Sequence, residues 1–251
     1  MALQAGAVAL FFILWTALTW GEAEKRVLSP LVVPSPAELG AQLHSLWFDA
    51  ALSRSTAWSL GRILLGFGLA AVVGIPLGIL AGCFRSVESF LSPLTVFLRN
   101  VPIAALIPLT LVWFGLGESQ KIFFIFIACV GFVIFDTTRS ILDIDERYLE
   151  TAYTLGARER HVIFKVLVPL ALPDIVNSLR LLFGLAFGYI VLAELIDAKH
   201  GLGYIIQVAQ RRGPREHIYL VLALISLLGL GLDRALFAMQ RKLFPYRFVK
   251  E

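Results

Sequence analysis

The stretch SLGRILLGFGLAAVVGIPLGILAG, residues 59–82, decides the class of fold. It is long and apolar enough to cross the roughly 30 Å hydrocarbon core of a bilayer as one helix. Small side chains recur in it every four residues, at Gly66, Ala70, Gly74, Gly78 and Gly82. On a helix these side chains form one stripe, which lets a neighbouring helix approach closely. The stripe predicts tight helix packing, and a surface along which the neighbour slides is the alternative.

The composition of the whole chain is that of a membrane protein. The 251 residues are 58% hydrophobic and only 16% charged, with a mean hydropathy of +0.80, whereas about a quarter of the residues in soluble domains are charged. The apolar residues fall in blocks near 3–20, 63–84, 101–117, 122–141, 170–196 and 218–240. We therefore expect an all-α, polytopic membrane protein with about six transmembrane helices.

The N-terminal region predicts a membrane span followed by a surface helix. Residues 1–20 are read as a retained first span, because no Lys or Arg precedes the apolar run and no small-residue cleavage pattern follows Trp20. Residues 35–50 predict a short helix along the membrane face. Ser35 is placed as its N-cap and Pro36 in its first turn.

A charged, glycine-broken segment, ETAYTLGARERHVIFKVLVP at residues 150–169, separates two apolar regions. It predicts a helix over residues 148–155, a left-handed C-cap at Gly156 and a second helix over 157–166. Pro169 is expected at the start of the next span. In the first turn of a helix a backbone N–H has no acceptor within the helix, so the N–H that proline lacks does not reduce the stability of the helix. Such a hairpin could transmit a push or pull into the bilayer, and an ordinary capped loop is the alternative.

Polar residues inside the apolar blocks are candidates for a translocation path, because they are costly against lipid. The candidates are Arg99, Asn100, Pro102, Asp136, Thr137, Thr138 and Glu194. A helix break is also predicted at Arg99, Asn100 and Pro102. Arg99 would either attract an anionic solute or bond to the backbone carbonyls that the break near Pro102 leaves free. Glu194 would repel an anion, which favours gating or a partner contact. Arg180 is expected to snorkel or to pair with Asp174 or Asn177.

Several classes of function are not supported by the sequence. It lacks the phosphate loop G-x-x-x-x-G-K-[ST], and its four histidines show no metal-ligand spacing. The net charge of only +4 is spread over loops, which argues against nucleic-acid binding. We therefore expect a chain that is not an enzyme and holds no metal or cofactor of its own.

The central segment resembles the cytoplasmic EAA loop of bacterial ABC importer permeases. That pattern runs Glu-Ala-Ala, three residues, Gly, nine residues and Ile-x-Leu-Pro, and its spacing is kept from Glu150 through Gly156 to Pro169. The departures are Thr151 for the second Ala, Val166 for Ile and Val168 for Leu.

Other stretches are similar to the nitrate/sulfonate/taurine/bicarbonate branch of those permeases. They are residues 59–82, RNVPIAALIPLTLVWFGLGESQKI at 99–122, AELI at 193–196, GLGYII at 201–206 and LDRALFAMQRKLFPYR at 232–247. The resemblance covers about residues 29–247.

The resemblance implies a type I ABC importer permease fold, with one permease domain over residues 1–251, a core at 55–245 and a cytoplasmic coupling loop at 143–168. It implies that an ATPase is contacted by Glu150, Thr151, Ala152 and Gly156, with Arg158, Glu159 and Arg160 at the rim.

The same resemblance implies a multi-pass protein of the bacterial inner membrane, surrounded by lipid, with both termini in the cytoplasm. A slight excess of Lys and Arg in the inner segments agrees with that orientation. The implied partners are a second copy of the chain, two ATPase subunits that bind ATP and Mg, and an extracytoplasmic solute-binding protein. The expected solute is a small, anionic nutrient such as nitrate, taurine, an alkanesulfonate or bicarbonate. The alternative is a self-sufficient channel or secondary transporter that is not coupled to an ATPase.

Overall fold

The computed structural model describes residues 2–21, 26, 28–29 and 32–247, and every regular element in these ranges is helical. The other positions of the expected 1–251 domain, including residue 1 of the expected first span, lie outside the described residues. The α-helices are α1 (Ala2–Leu18), α2 (Pro36–Phe48), α3 (Leu52–Cys83), α4 (Arg85–Asn100), α5 (Ile107–Phe114), α6 (Glu118–Leu142), α7 (Glu146–Thr154), α8 (Glu159–Val162), α9 (Val168–Asp197), α10 (Leu202–Arg212) and α11 (Glu216–Leu243). Short 3₁₀ helices cover Ile103–Leu106 and Pro245–Arg247, and a π-helix covers Ile163–Leu167.

Four continuous helical segments of the described chain are long and apolar enough to cross a membrane: Leu52–Cys83, Glu118–Leu142, Glu159–Ile196 and Glu216–Leu243. A fifth span is possible if α4 and the segment Ile103–Phe114, which meet at an angle of 95°, cross as one bent pair. The sixth expected span corresponds to α1, which has 17 residues. That length is below the roughly 20 residues that a span normally needs.

The apolar block at residues 101–117 can cross the membrane only together with α4, as the bent pair that ends at Phe114. Its only α-helix, α5, has eight residues. Val101 is extended (φ −68°, ψ 129°), as expected for a residue that precedes a proline. Pro102 therefore ends α4, and the expected helix break occurs at this point.

The small-residue stripe of α3 lies against α6, and the two helices run in the same direction. A Cβ atom at Gly66 would lie 2.6 Å from the Ile122 carbonyl oxygen, and one at Gly82 would lie 2.6 Å from Cβ of Ile141. Ala70, between them, is fully buried. Any larger side chain at the glycines would force the two backbones apart.

The core lies where α6 contacts α3, α4 and α9, and many large apolar side chains are exposed outside it. Phe124, Ile125 and Ile63 are buried there, whereas large apolar side chains such as Leu64 and Leu227 are exposed on α3 and α11. This distribution suits helices that are surrounded by lipid.

The short helix α2 starts at a capping box. The Ser35 hydroxyl accepts a hydrogen bond from the Glu38 N–H, and the Glu38 carboxylate accepts one from the Ser35 N–H. Leu46 of α2 is buried, and Ser45 Oγ lies 2.9 Å from His217 Nε2 of α11. These contacts hold α2 against the end of the bundle at which α3 and α11 begin.

Candidate functional site

The segment that follows α6 forms a capped helix and a glycine turn. Asp145 caps α7 by accepting a hydrogen bond from the Arg147 N–H. At the other end Gly156 has φ +81°, the left-handed conformation that the sequence predicts. The Gly156 N–H donates to Tyr153 O at 2.9 Å, and the Ala157 N–H donates to Ala152 O at 3.0 Å. These two bonds form a Schellman motif, which fixes the direction in which the chain leaves α7.

The chain after the turn differs from the expected hairpin. The helix α8 has four residues and continues without a break through the π-helix Ile163–Leu167 into α9. Pro169 therefore lies within a continuous helix and does not begin a separate one. Pro has no N–H and its ring crowds the carbonyl four residues earlier. The Val168 N–H instead bonds the Ile163 carbonyl, five residues earlier, and the wider turn accommodates the proline.

An apolar cluster ties this segment to the membrane-spanning helices. Val162 is buried together with Ile141 of α6 and Ala171 of α9. Leu149 and Ala152 of α7 pack against the same cluster. This cluster packs α7 and the turn after it directly against α6 and α9.

The predicted ATPase-contact residues are placed together on α7, the turn and α8. Of these, Glu150, Thr151, Gly156, Arg158, Glu159 and Arg160 are exposed. Ala152 is half-buried and packs inward against the cluster around Val162, so it is not part of the exposed surface. We call the exposed surface, together with Tyr148, Tyr153 and Leu155, the coupling surface.

Those three apolar residues were not identified as contact residues from the sequence. Leu155 is 83% exposed, Tyr148 55% and Tyr153 50%. Apolar side chains in such numbers on a short polar segment mark a surface that another protein covers. On α7, Tyr148 and Tyr153 lie one turn from the inward-facing Ala152 and Leu149, at the two edges of its apolar side, and Leu155 follows the helix. The sequence pattern therefore gave no signal that these side chains are exposed.

The proposed translocation residues are divided between the surface and the interior. Asn100 and Pro102 are exposed at the helix break. Arg99 is half-buried, and its guanidinium carbon lies 3.6 Å from the centroid of the Phe135 ring. None of the described hydrogen bonds links Arg99 to a carbonyl near Pro102, so the capping role is not observed; a cation–π contact is present instead.

The polar cluster at the end of α6 is mostly buried between helices. Asp136 is half-buried, whereas Thr137 and Thr138 are buried. A Cβ atom at Gly78 would lie 2.5 Å from Cβ of Thr137, and Thr138 Oγ1 donates to the Gly78 carbonyl at 3.2 Å. Thr137 and Thr138 therefore belong to the contact between α3 and α6.

Glu194 lies in the interior of the single subunit, between α9 and α10. It is 0% exposed. Its carboxylate accepts hydrogen bonds from Arg62 Nη1 at 2.6 Å, from Ser59 Oγ at 2.8 Å and from the Gly203 N–H at 2.9 Å. Buried charges are found in pairs because an unpaired one is very costly, and Arg62 supplies the opposite charge.

Arg62 and Ser59 were missed by sequence reasoning. Arg62 also binds the half-exposed carboxylate of Glu118 with two bonds, of 2.5 and 2.7 Å. It thereby joins α3, α6 and α9. The sequence did contain an indication of this network. Arg62 is the single arginine within the apolar stretch 59–82, and a charged side chain inside a membrane span needs a partner of opposite charge.

The glycines of GLGYII allow α10 to approach Glu194. A Cβ atom at Gly201 would lie 2.4 Å from Cδ of Glu194, and one at Gly203 would lie 2.6 Å from its Cβ. The carboxylate sits at the N-terminus of α10, where a negative charge is favourable. The two short motifs, AELI and GLGYII, therefore form one structural unit.

Comparison with known proteins assigns the family. Residues 74–245, more than half of the chain, match the family of binding-protein-dependent transport system inner membrane components. The chain belongs to this family. The permease is 32% identical over 251 residues to the taurine transport system permease protein TauC of Escherichia coli, covering 98% of this chain and 90% of that protein. It is also 32% identical over 246 residues to the bicarbonate transport system permease protein CmpB of Synechocystis, covering 94% and 88% of the two chains.

The fold agrees with that of a solved importer subunit. In an inward-facing structure of the MetNI methionine ABC transporter, one chain superposes with a TM-score of 0.70 at 22% identity, covering 80% of this permease and 98% of that chain. The protein is thus the multi-pass, membrane-spanning permease subunit of an ABC importer, in which ATP hydrolysis belongs to a separate chain.

Two ion pairs fasten α9 to the C-terminal region of the permease. Arg180 pairs with Asp233 of α11 at 3.0 Å and lies over the Phe237 ring, which corrects the expected pairing with Asp174 or Asn177. Asp174 instead binds Arg247 at 2.5 Å. Both partners are distant in sequence, so local spacing gave no indication of them.

Proposed function

We propose that the permease acts as a homodimer whose two copies enclose the translocation path, and that two ATPase subunits hold the two coupling surfaces. The observation that carries this proposal is the coupling surface itself. It exposes apolar and charged side chains together, and the buried cluster around Val162 connects it to α6 and α9. ATP and Mg would bind to the ATPase subunits.

The coupling surface would lie in the cytoplasm, with both termini on the same side. The end of α11 supports this orientation for the C-terminus, because Gln240 Nε2 donates to the Pro173 carbonyl at 3.1 Å, near the start of α9. For α1, the contact of Trp15 Nε1 with the Pro34 carbonyl at 3.1 Å holds its C-terminal end near the opposite end of the bundle. The solute-binding protein would dock at that opposite end, beside α2 and α10.

The transported solute would be a small anionic nutrient. Curated relatives of this permease carry names that specify taurine, aliphatic sulfonates, bicarbonate and nitrate. These solutes have in common a compact oxyanion group. The binding protein would deliver a solute with this group into the space between the two copies of the permease.

The decisive experiment is reconstitution of the permease in proteoliposomes with its ATPase and binding protein. We expect ATP hydrolysis and solute uptake to rise together when the binding protein is loaded with one of taurine, an alkanesulfonate, nitrate or bicarbonate. Uptake by the permease alone, driven by an ion gradient and unaffected by the ATPase, would establish a channel or secondary transporter instead.

A further inference from the structure

The break between α4 and α5 lies at the depth of the bilayer midplane. A Cβ atom at Gly131 would lie 2.7 Å from Cβ of Leu98, so the last turn of α4 packs against the middle of the 25-residue span α6. In a continuous helix the N–H of residue 102 would bond the Leu98 carbonyl, but Pro102 has no N–H. Open backbone at this depth is tolerated only where protein covers it or where it lines a water-filled space.

The side chains around this break are polar and only partly covered by the subunit. Asn100 is exposed, and Arg99 and Asp136 are half-buried. Polar and charged groups at the bilayer midplane are costly against lipid and normally face a bundle interior or a water-filled cavity. This part of the surface therefore does not border lipid. In the proposed homodimer it would border the space between the two copies.

The Arg99 side chain is held by aromatic rings and keeps hydrogen-bonding capacity free. Its guanidinium carbon lies 3.6 Å from the centroid of the Phe135 ring and 5.5 Å from that of Phe132. These cation–π contacts orient the group without supplying oxygen acceptors. Its Nε is shielded from solvent and has no hydrogen-bond partner in the described part of the subunit. A shielded donor of this kind is unfavourable unless a ligand supplies the acceptor.

The guanidinium group of Arg99 suits an oxyanion. It is planar and always charged, and its N–H groups form a fork that matches two oxygens of one anion. The charge of Arg99 acts on the nearby Asp136 carboxylate, although no salt bridge joins the two within the described residues. This carboxylate would repel an anion held by Arg99. The repulsion limits the affinity, and a transport site must release its solute.

We propose that Arg99 is the residue that selects an oxyanion at the midplane of the translocation path, with one such arginine supplied by each copy. This assignment rests on the proposed homodimer and adds to it the group that distinguishes solutes by charge. Interrupted helices are suited to this role, because the break exposes polar groups at a depth where regular helices present only apolar side chains.

The test measures how the charge of a small probe affects its reaction at residue 100. Asn100→Cys is introduced together with Cys83→Ala and Cys129→Ala, and the permease is purified with its ATPase in lipid nanodiscs without nucleotide. The probes are sulfonatoethyl and trimethylammonioethyl methanethiosulfonate. Each forms a disulfide with a thiolate and releases methanesulfinate, so they differ in the charge of the group transferred. The ratio of the two rates, divided by the same ratio for β-mercaptoethanol, is the anion preference.

We expect an anion preference of about tenfold for Asn100→Cys, which corresponds to one charge-assisted hydrogen bond. Addition of Arg99→Gln should abolish the preference, and Arg99→Lys should retain part of it, because lysine keeps the charge but not the fork. Asp136→Asn should increase it, since the opposing charge is removed. A purely structural role of Arg99 would change both rates together and leave their ratio unaltered.

Leu227→Cys provides the control for the exposed apolar surface. Leu227 of α11 is 66% exposed, and neither charged probe should modify a thiol there if lipid covers it. Failure of both probes to modify Asn100→Cys would show that lipid or protein covers the break. An anion preference that Arg99→Gln leaves unchanged would show that another group sets it. Either result would overturn the proposal.

The measured ratio separates this proposal from the proposed function, because it requires no ATP hydrolysis. Solute uptake driven by an ion gradient would count against coupling to the ATPase and would leave an Arg99-dependent anion preference standing. Coupled uptake together with a preference that does not depend on Arg99 would count against this residue alone.

Discussion

At the scale of single residues, Arg62 balances the charge of Glu194 inside the subunit. Removal of one member of a buried ion pair leaves the other uncompensated and costs about 3–5 kcal/mol. We therefore expect Arg62→Ala to reduce greatly the amount of folded permease that withstands heating in mild detergent, as measured by size-exclusion chromatography.

Glu118 provides the matched control for this prediction. Its side chain is 48% exposed, so Glu118→Gln removes an ion pair that water partly screens. Such pairs contribute about 0–1 kcal/mol. If both variants lost the same stability, the special role of the buried pair would be refuted.

A second prediction concerns Gly201, at the start of α10. Its φ is +135°, and a Cβ atom there would meet the Glu194 carboxyl group at 2.4 Å. Gly201→Ala should therefore displace α10 and lower the melting temperature of the permease. The control is Gly40→Ala in α2, where no atom lies within 4 Å of the added Cβ. It should be neutral or slightly stabilising, because Ala is favoured over Gly in a helix by roughly 0.5–1 kcal/mol.

At the scale of elements, Gly156 sets the angle between α7 and α8. A β-branched side chain in the left-handed region is strained by at least about 1–2 kcal/mol. Gly156→Val should weaken co-purification of the ATPase with the permease while membrane insertion is unchanged. Gly156→Asn should retain most of the binding, since Asn tolerates this conformation. Full ATPase binding and coupled hydrolysis by Gly156→Val would argue against the role of this turn.

The π-helix before Pro169 leads to another prediction for this element. Pro169→Ala restores an N–H that can bond the carbonyl of Lys165, four residues earlier, and so favours a regular α-helix. A regular helix over residues 163–167 would rotate the coupling surface relative to α9. We expect folded permease with reduced solute-stimulated ATP hydrolysis; unchanged stimulation would show that the π-helix is not needed for coupling.

At the scale of the whole molecule, the apolar part of the coupling surface should stabilise the complex and not the subunit. Leu155 has 83% of its surface exposed, so Leu155→Ser should leave the melting temperature of the isolated permease unchanged. It should weaken ATPase binding about tenfold, because burial of a leucine is worth about 1.5–3 kcal/mol. Leu116→Ser, a change of another exposed leucine outside the coupling surface, should not affect binding.

The sequence predicts the features that depend on local signals. The glycine cap at 156, the helix break before Pro102 and the small-residue stripe of α3 each follow from residues that are close together in the chain. The pairing of Arg62 with Glu194, 132 residues away, could not be predicted this way, because it depends on how α3, α9 and α10 pack. The π-helix likewise results from a conflict between Pro169 and the continuous helix that the buried cluster around Val162 imposes.

The exposure of Leu155, Tyr148 and Tyr153 also has a consequence for the cell that makes this permease. With the coupling surface in the cytoplasm and held by the ATPase, as proposed, a copy synthesised without that partner would expose these side chains to the quality-control proteases and chaperones that act on exposed apolar segments. Surplus copies would be degraded faster than assembled ones. The abundance of the permease would then follow the supply of its ATPase, even when the two proteins are translated at different rates.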